Sequence, residues 1–226
     1  MEYDGVLRYV DNHVGDYVDQ LKRFVAIPSI SAGSKGDSSS ALSAAAEFLV
    51  GSFQAIGLQA TQIAGTVGSN PLVLAHPKTV EADKPTVLIY GHYDVQGVDN
   101  PRSAWHHDPF AAVEEDGFLV GRGSSDNKGP CFAHIKAVEA ILAVSSALPV
   151  NPVFVVEGEE ECGSHALGQF VRSGALDRFG PVLCTIISDT SMYGPGQPAL
   201  TLSLRGITLL ELAIDGANRD LHSGLH

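Results

Sequence analysis

Residues 86–94, TVLIYGHYD, pass from a short run of apolar and β-branched side chains directly into His92 and Asp94. A run of that length and composition reads as a strand buried on both faces of a sheet. Three further runs have the same character: PLVLA at 71–75, PVFVV at 152–156 and LCTIIS at 183–188. Helical patterns lie around them. Leu7, Val10, Val14, Tyr17, Leu21 and Phe24 recur at steps of three and four in residues 2–27, a helix that stops before Pro28. The loop ISAGSKGDSSS follows, and its last serines can cap a helix that runs to Ile56 through Leu42, Ala45, Leu49 and Phe53, with Gly57 at its C-terminal cap. Ile135, Val138 and Ile141/Leu142 define one face of a helix over Phe132–Ala147, and a shorter helix is expected over 164–173. Helices alternating with fully apolar strands specify an α/β fold, a three-layer sandwich around a largely parallel sheet. From Ala199 the pattern changes to two extended segments meeting near Gly206.

Composition narrows the function classes. With 226 residues, 44% hydrophobic and 18% charged, the chain can build a proper core of about one domain and a further piece. Its net charge of −12 argues against nucleic acid or an anionic membrane as partner, since both require basic patches. Three cysteines without a CxxC spacing suit a reducing, cytoplasmic compartment better than a disulfide framework. The opening MEYDGVLRYVDNH has no apolar h-region, and no run approaches the roughly 18 apolar residues of a membrane helix, so a soluble intracellular protein is expected.

The polar residues gather at strand ends. TVLIY leads to His92 and Asp94, PVFVV leads into EGEEECGS with Glu159, Glu160 and Glu161, and LCTIIS leads to Asp189. Asp126 sits in GFLVGRGSSDNKG, a Gly-rich turn just before a helix. Open α/β sheets form their sites beyond the carboxyl ends of strands, so these segments can converge in one crevice. Imidazole and carboxylates together are a ligand set for zinc or a similar divalent ion. GRGSSDNKG lacks the spacing of a phosphate-binding P-loop. An apolar strand running into packed glutamates calls for a positive charge among them, because close like charges repel by several kcal/mol at an effective dielectric near ~20.

GHYDVQ, GRGSSDNKG, EGEEECGS, ISD and DLHSG occur in this order, separated by 34 residues from His92 to Asp126, 35 to Glu161, 28 to Asp189 and 33 to His222. In order and spacing the chain resembles the co-catalytic di-zinc aminoacylase, carboxypeptidase and carnosinase-type dipeptidase family, and within it the dipeptidase-like branch. The resemblance implies two divalent metal ions, Zn2+ first, with Mn2+ or Co2+ as substitutes. It implies His92 and Asp189 as ligands of one ion, Glu161 as a ligand of the other and Asp126 as the carboxylate bridging both. Asp94 would orient the His92 ring, Glu160 would be the general base, and His222 would stabilise the tetrahedral oxyanion, often across a dimer. A one-residue register shift in EGEEECGS would exchange base and ligand. The Asp126–Asn127 peptide would be cis.

The same resemblance assigns residues 1–204 to the N-terminal part of a catalytic domain and 205–226 to the start of a lid or dimerisation domain. The rest of that lid, and a late histidine ligand of the second metal, would lie beyond this chain, so the fragment alone is expected to be inactive and the parent protein to be a homodimer. The implied reaction is cleavage of dipeptides or short peptides, with removal of an acyl group from N-acyl amino acids as the alternative, and a non-catalytic interaction module as a reading of another class. Around the site, WHHDPF resembles a family loop whose His106 and His107 are expected to be exposed. His134 reads as structural and Cys162 as a small packed residue.

Overall fold

The computed structural model describes residues 3–32, 39–65, 69–99, 101–208, 210–214 and 224. The chain separates into two units, residues 1–189 and 190–226. In chain order the first holds α1 (Tyr3–Val25), β1 (Ile30–Ala32), α2 (Ser39–Ala55), β2 (Gln59–Ile63), β3 (Leu72–His76), β4 (Thr86–His92) and β5 (Val95–Gln96). It continues through β6 (Val113–Glu115), β7 (Phe118–Val120), α3 (Lys128–Ser145), β8 (Asn151–Glu157), α4 (His165–Arg172) and β9 (Val182–Ile187).

The central sheet has the order β2-β3-β8-β4-β9. β8, β4 and β9 are parallel neighbours, and this is the half of the sheet that carries the polar strand ends. β3 runs against β8, and β2 turns back against β3, so four of the five strands point the same way and the largely parallel sheet that was expected carries one opposed strand, β3. The eight residues between Ile63 and Leu72 are too few for a parallel crossover, which takes about a dozen or more, so an antiparallel pairing follows. β1, β2 (QATQI), β5 and the β6–β7 pair were not anticipated; all of them are short.

Alternation along the strands builds three layers. Phe154 and Val156 of β8 enter a core with Phe24 of α1, Leu42, Ala45, Leu49 and Phe53 of α2, and Phe132, Ile135 and Val138 of α3. Val153 and Val155 point the other way, to Ala166 and Phe170 of α4 and to Phe179. The stripe read for α2 is buried, as are Ile135 and Val138 of α3, whereas in α1 Tyr17 and Phe24 are buried and Leu7 and Val14 are exposed, to 62% and 55%. Phe154 is 1% exposed and its ring lies 4.7 Å from that of Phe53. Phe154→Ala is expected to cost about 3–5 kcal/mol, measured as a lower midpoint in urea unfolding at unchanged slope.

β9 departs from the expectation of a buried strand. It pairs with β4 along one edge, yet all six of its residues are exposed, Leu183 to 68% and Ile187 to 58%. Among the described residues it is an apolar edge strand. In the second unit the described residues from 199 onward are exposed and form no paired strand; an isolated bridge joins Gly194 and Gln197. No helix among the described residues is long and apolar enough to cross a membrane.

Candidate metal centre

Register brings the site together. His92 on β4 stands opposite Glu157 on β8, and Tyr90 opposite Ile187 on β9. The three parallel strands thus end nearly level, and the residues just beyond them emerge at one edge of the sheet. Asp126 arrives from the turn before α3. That turn is tight: a Cβ on Gly129 would lie 2.0 Å from the Ser124 carbonyl oxygen, so only glycine fits there. Lys128 turns away from the site. Its Nζ donates to the carbonyls of Phe24 (3.1 Å) and Ile27 (2.5 Å), at the end of α1 where a cation is favoured. Burial lowers its pKa to about 7.

His92 is fully buried. Its Nδ1 lies 3.0 Å from the Asp94 backbone carbonyl and 3.4 Å from Asp94 Oδ1. Nδ1 therefore carries the proton, and Nε2 points the other way with a lone pair. Among the described residues Nε2 has no hydrogen-bond partner. It faces Asp126 Oδ1 at 3.0 Å, Asp189 Oδ2 at 3.5 Å and Glu160 Oε2 at 4.0 Å. One ligand atom each from His92, Asp126 and Asp189 lies within 4.8 Å of the others. A buried nitrogen without a partner, aimed into carboxylates, fits a divalent cation by position and by donor type. Burial pulls the imidazole pKa down, but the hydrogen bond and charge of Asp94, with Asp189 and Asp126, outweigh it and push the value up to about 9. The cluster thus attracts a positive charge, which a metal ion can supply in place of the proton.

Asp94 does more than orient the ring. Its carboxylate accepts hydrogen bonds from the backbone N–H groups of Glu160 (3.3 Å) and Glu161 (3.1 Å), and from the Ser31 hydroxyl. It therefore pins the glutamate turn to the strand end that carries His92. The other two acids of EGEEECGS are buried supports. Glu157 accepts from Tyr90 (2.7 Å) and Ser164 (2.9 Å), and Glu159 accepts from the N–H groups of Asn70 (2.7 Å) and Ala166 (2.9 Å), the latter at the start of α4. Burial raises the pKa of Glu160, Glu161 and Asp189 push it the same way, and His92 opposes them. A carboxylate so raised is a better proton acceptor.

Glu161 does not join the group around His92; its Oε2 accepts from Gln96 Nε2 at 2.9 Å. His222 lies outside the described residues. The Asp126–Asn127 peptide is cis, as the resemblance implies. His106 and His107 are exposed, His107 beside Glu115 at 3.3 Å. Cys162 is exposed rather than packed, because the single turn holding it projects from the sheet edge. Reading the sequence missed the side chains of Ser31, Gln96 and Asn127. Gln96 and Asn127 both stand inside the motifs, and a polar residue just before an apolar helix was the available signal for Asn127.

Fold and site together are an α/β sandwich with a divalent-metal ligand set at the ends of its parallel strands. A model of peptidase family M20/M25/M40 matches residues 88–210, and the chain belongs to that family. It is 34% identical over its whole length to the Cys-Gly metallodipeptidase dug1 of Schizosaccharomyces pombe, covering 48% of that protein. It is also 34% identical to the human Beta-Ala-His dipeptidase, over 97% of this chain and 45% of the relative. The crystal structure of human carnosine dipeptidase 1 superposes with a TM-score of 0.76 at 35% identity, covering 83% of this chain and 41% of that one. The chain thus spans about half the length of the curated relatives it matches.

Proposed function

We propose that the protein hydrolyses the amide bond of dipeptides or short peptides with divalent metal ions, zinc first, held at the ends of β4, β8 and β9. The observation that carries this reading is the buried Nε2 of His92, without a hydrogen-bond partner among the described residues and facing Asp126 and Asp189. His92, Asp126 and Asp189 would hold one ion, with Asp126 shared and Glu161 on a second. Bound there, the metal would supply Lewis acidity, polarising a scissile carbonyl and lowering the pKa of a bound water. Glu160 takes the proton of the attacking water and passes it to the leaving amine. Asp94 fixes the tautomer that leaves His92 Nε2 free, and holds Glu160 in reach. His222 donates to the developing oxyanion. Residues 205–226 open the lid or dimerisation domain, through which the whole protein forms a homodimer. A net charge of −12 and three free cysteines suit a cytoplasmic setting.

Dipeptides are favoured over N-acyl amino acids because the relatives at about one-third identity are named as dipeptidases. The full-length protein should cleave members of a dipeptide panel including Cys-Gly and β-Ala-His, lose that activity on chelation and regain it with Zn2+. Preference for N-acyl amino acids, or turnover unaffected by chelation, would overturn the proposal.

A further inference from the structure

Asn127 is 1% exposed, and its carboxamide uses every hydrogen it has. Oδ1 accepts the His92 backbone N–H at 3.4 Å. Nδ2 donates to the Ser188 carbonyl at 3.0 Å and to Asp189 Oδ1 at 3.1 Å. The side chain therefore spans the gap from the end of β4 to the residues that follow β9, while its own backbone adjoins Asp126. One amide thus contacts His92 and Asp189 directly, and its own residue follows Asp126 in the chain. Its slot is cut to fit: a Cβ on Gly91 would come within 3.0 Å of Asn127 Oδ1 and 3.2 Å of Cys131 Cβ. The far side is buttressed too, since His134 Nε2 lies 2.8 Å from the Ser188 hydroxyl.

We infer that Asn127 is the positioning residue of this centre, its amide setting the spacing of His92, Asp126 and Asp189 and fixing which oxygen of Asp189 remains free for a metal. The inference deepens the metal-site reading and rests on it. Asp189 Oδ1 is committed to Nδ2, whereas Oδ2 is the oxygen that faces His92 Nε2. An amide is needed for this. A carboxylate of the same shape would place oxygen against the Ser188 carbonyl and the Asp189 carboxylate, turning two attractions into two repulsions.

The test is titration of the metal-free full chain with Co2+, following affinity by calorimetry and coordination by the visible absorption bands. Asn127→Asp is expected to bind Co2+ about 10–100-fold more weakly than wild type, with altered bands. Asn127→Ala, which removes both donors and adds no charge, should lose affinity in the same direction and carries the comparison if the aspartate variant does not fold. A purely structural role predicts something else: a lower unfolding temperature with wild-type affinity and spectrum in the folded chain. Affinity within twofold of wild type and unchanged bands in a folded variant would overturn the inference while leaving the metal site intact. Failure of the wild-type chain to take up Co2+ would overturn the metal-site reading itself, and this inference with it.

Discussion

Glu160→Ala is expected to leave metal content unchanged and to lower kcat of the full-length protein by about 10²–10⁴-fold, the usual contribution of a positioned general base. Geometry separates Glu160 from its neighbour. Its Oε2 stands 4.0 Å from His92 Nε2, farther than the facing oxygens of Asp126 at 3.0 Å and Asp189 at 3.5 Å, and close enough to reach a water held beside it. Its backbone N–H is tied to Asp94, so truncating the side chain leaves the turn in place. Glu161→Ala should behave in the opposite way, losing metal first and turnover as a consequence. Metal analysis beside steady-state kinetics distinguishes the two. If Glu161→Ala keeps its metal and Glu160→Ala loses it, the roles are exchanged by one position in EGEEECGS. Loss confined to kcat marks an interaction made in the transition state.

The parts of this site that could be read from sequence are those where one strand determines the outcome. TVLIY, PVFVV and LCTIIS each end in a ligand-type residue, and strands of similar length in a parallel set bring such ends to one edge. What could not be read depends on pairing between distant segments. β3 has the same apolar character as β4, and nothing in PLVLA says that it runs against β8. LCTIIS has the composition of a buried strand, but exposure depends on what covers β9, which is a property of other residues. The three consecutive glutamates diverge for the same reason. Glu159 turns inward to cap α4 and to hold Asn70, Glu160 turns to His92, and Glu161 turns to Gln96. Local sequence supplies three equivalent carboxylates; contacts at separations of more than sixty residues make them different.

Asp126→Ala is expected to abolish the stabilisation that metal confers while changing the metal-free protein little. Asp126 is 62% exposed at its side chain and makes no hydrogen bond to His92 Nε2, so removing its carboxylate from the metal-free protein is expected to cost little, about 1 kcal/mol or less. With metal present the balance differs. An ion that binds the folded state alone at about 1,000 times its Kd contributes roughly 4 kcal/mol, which for a chain of this size is on the order of 10 °C in the unfolding midpoint. Asp126 stands nearer to the free nitrogen of His92, at 3.0 Å against 3.5 Å for Asp189, so its removal opens the triad on that side. Thermal unfolding of wild type and variant, each with chelator and with excess Zn2+, measures both quantities. The wild-type midpoint should rise with Zn2+, and that of the variant should not. A variant whose midpoint still rises as far as wild type would remove Asp126 from the ligand set. A variant destabilised by several kcal/mol under chelator would make it a structural residue. The separation matters because Asp126 lies beside Asn127: one residue is expected to set metal affinity by direct coordination, the other by holding Asp189 and His92 in place.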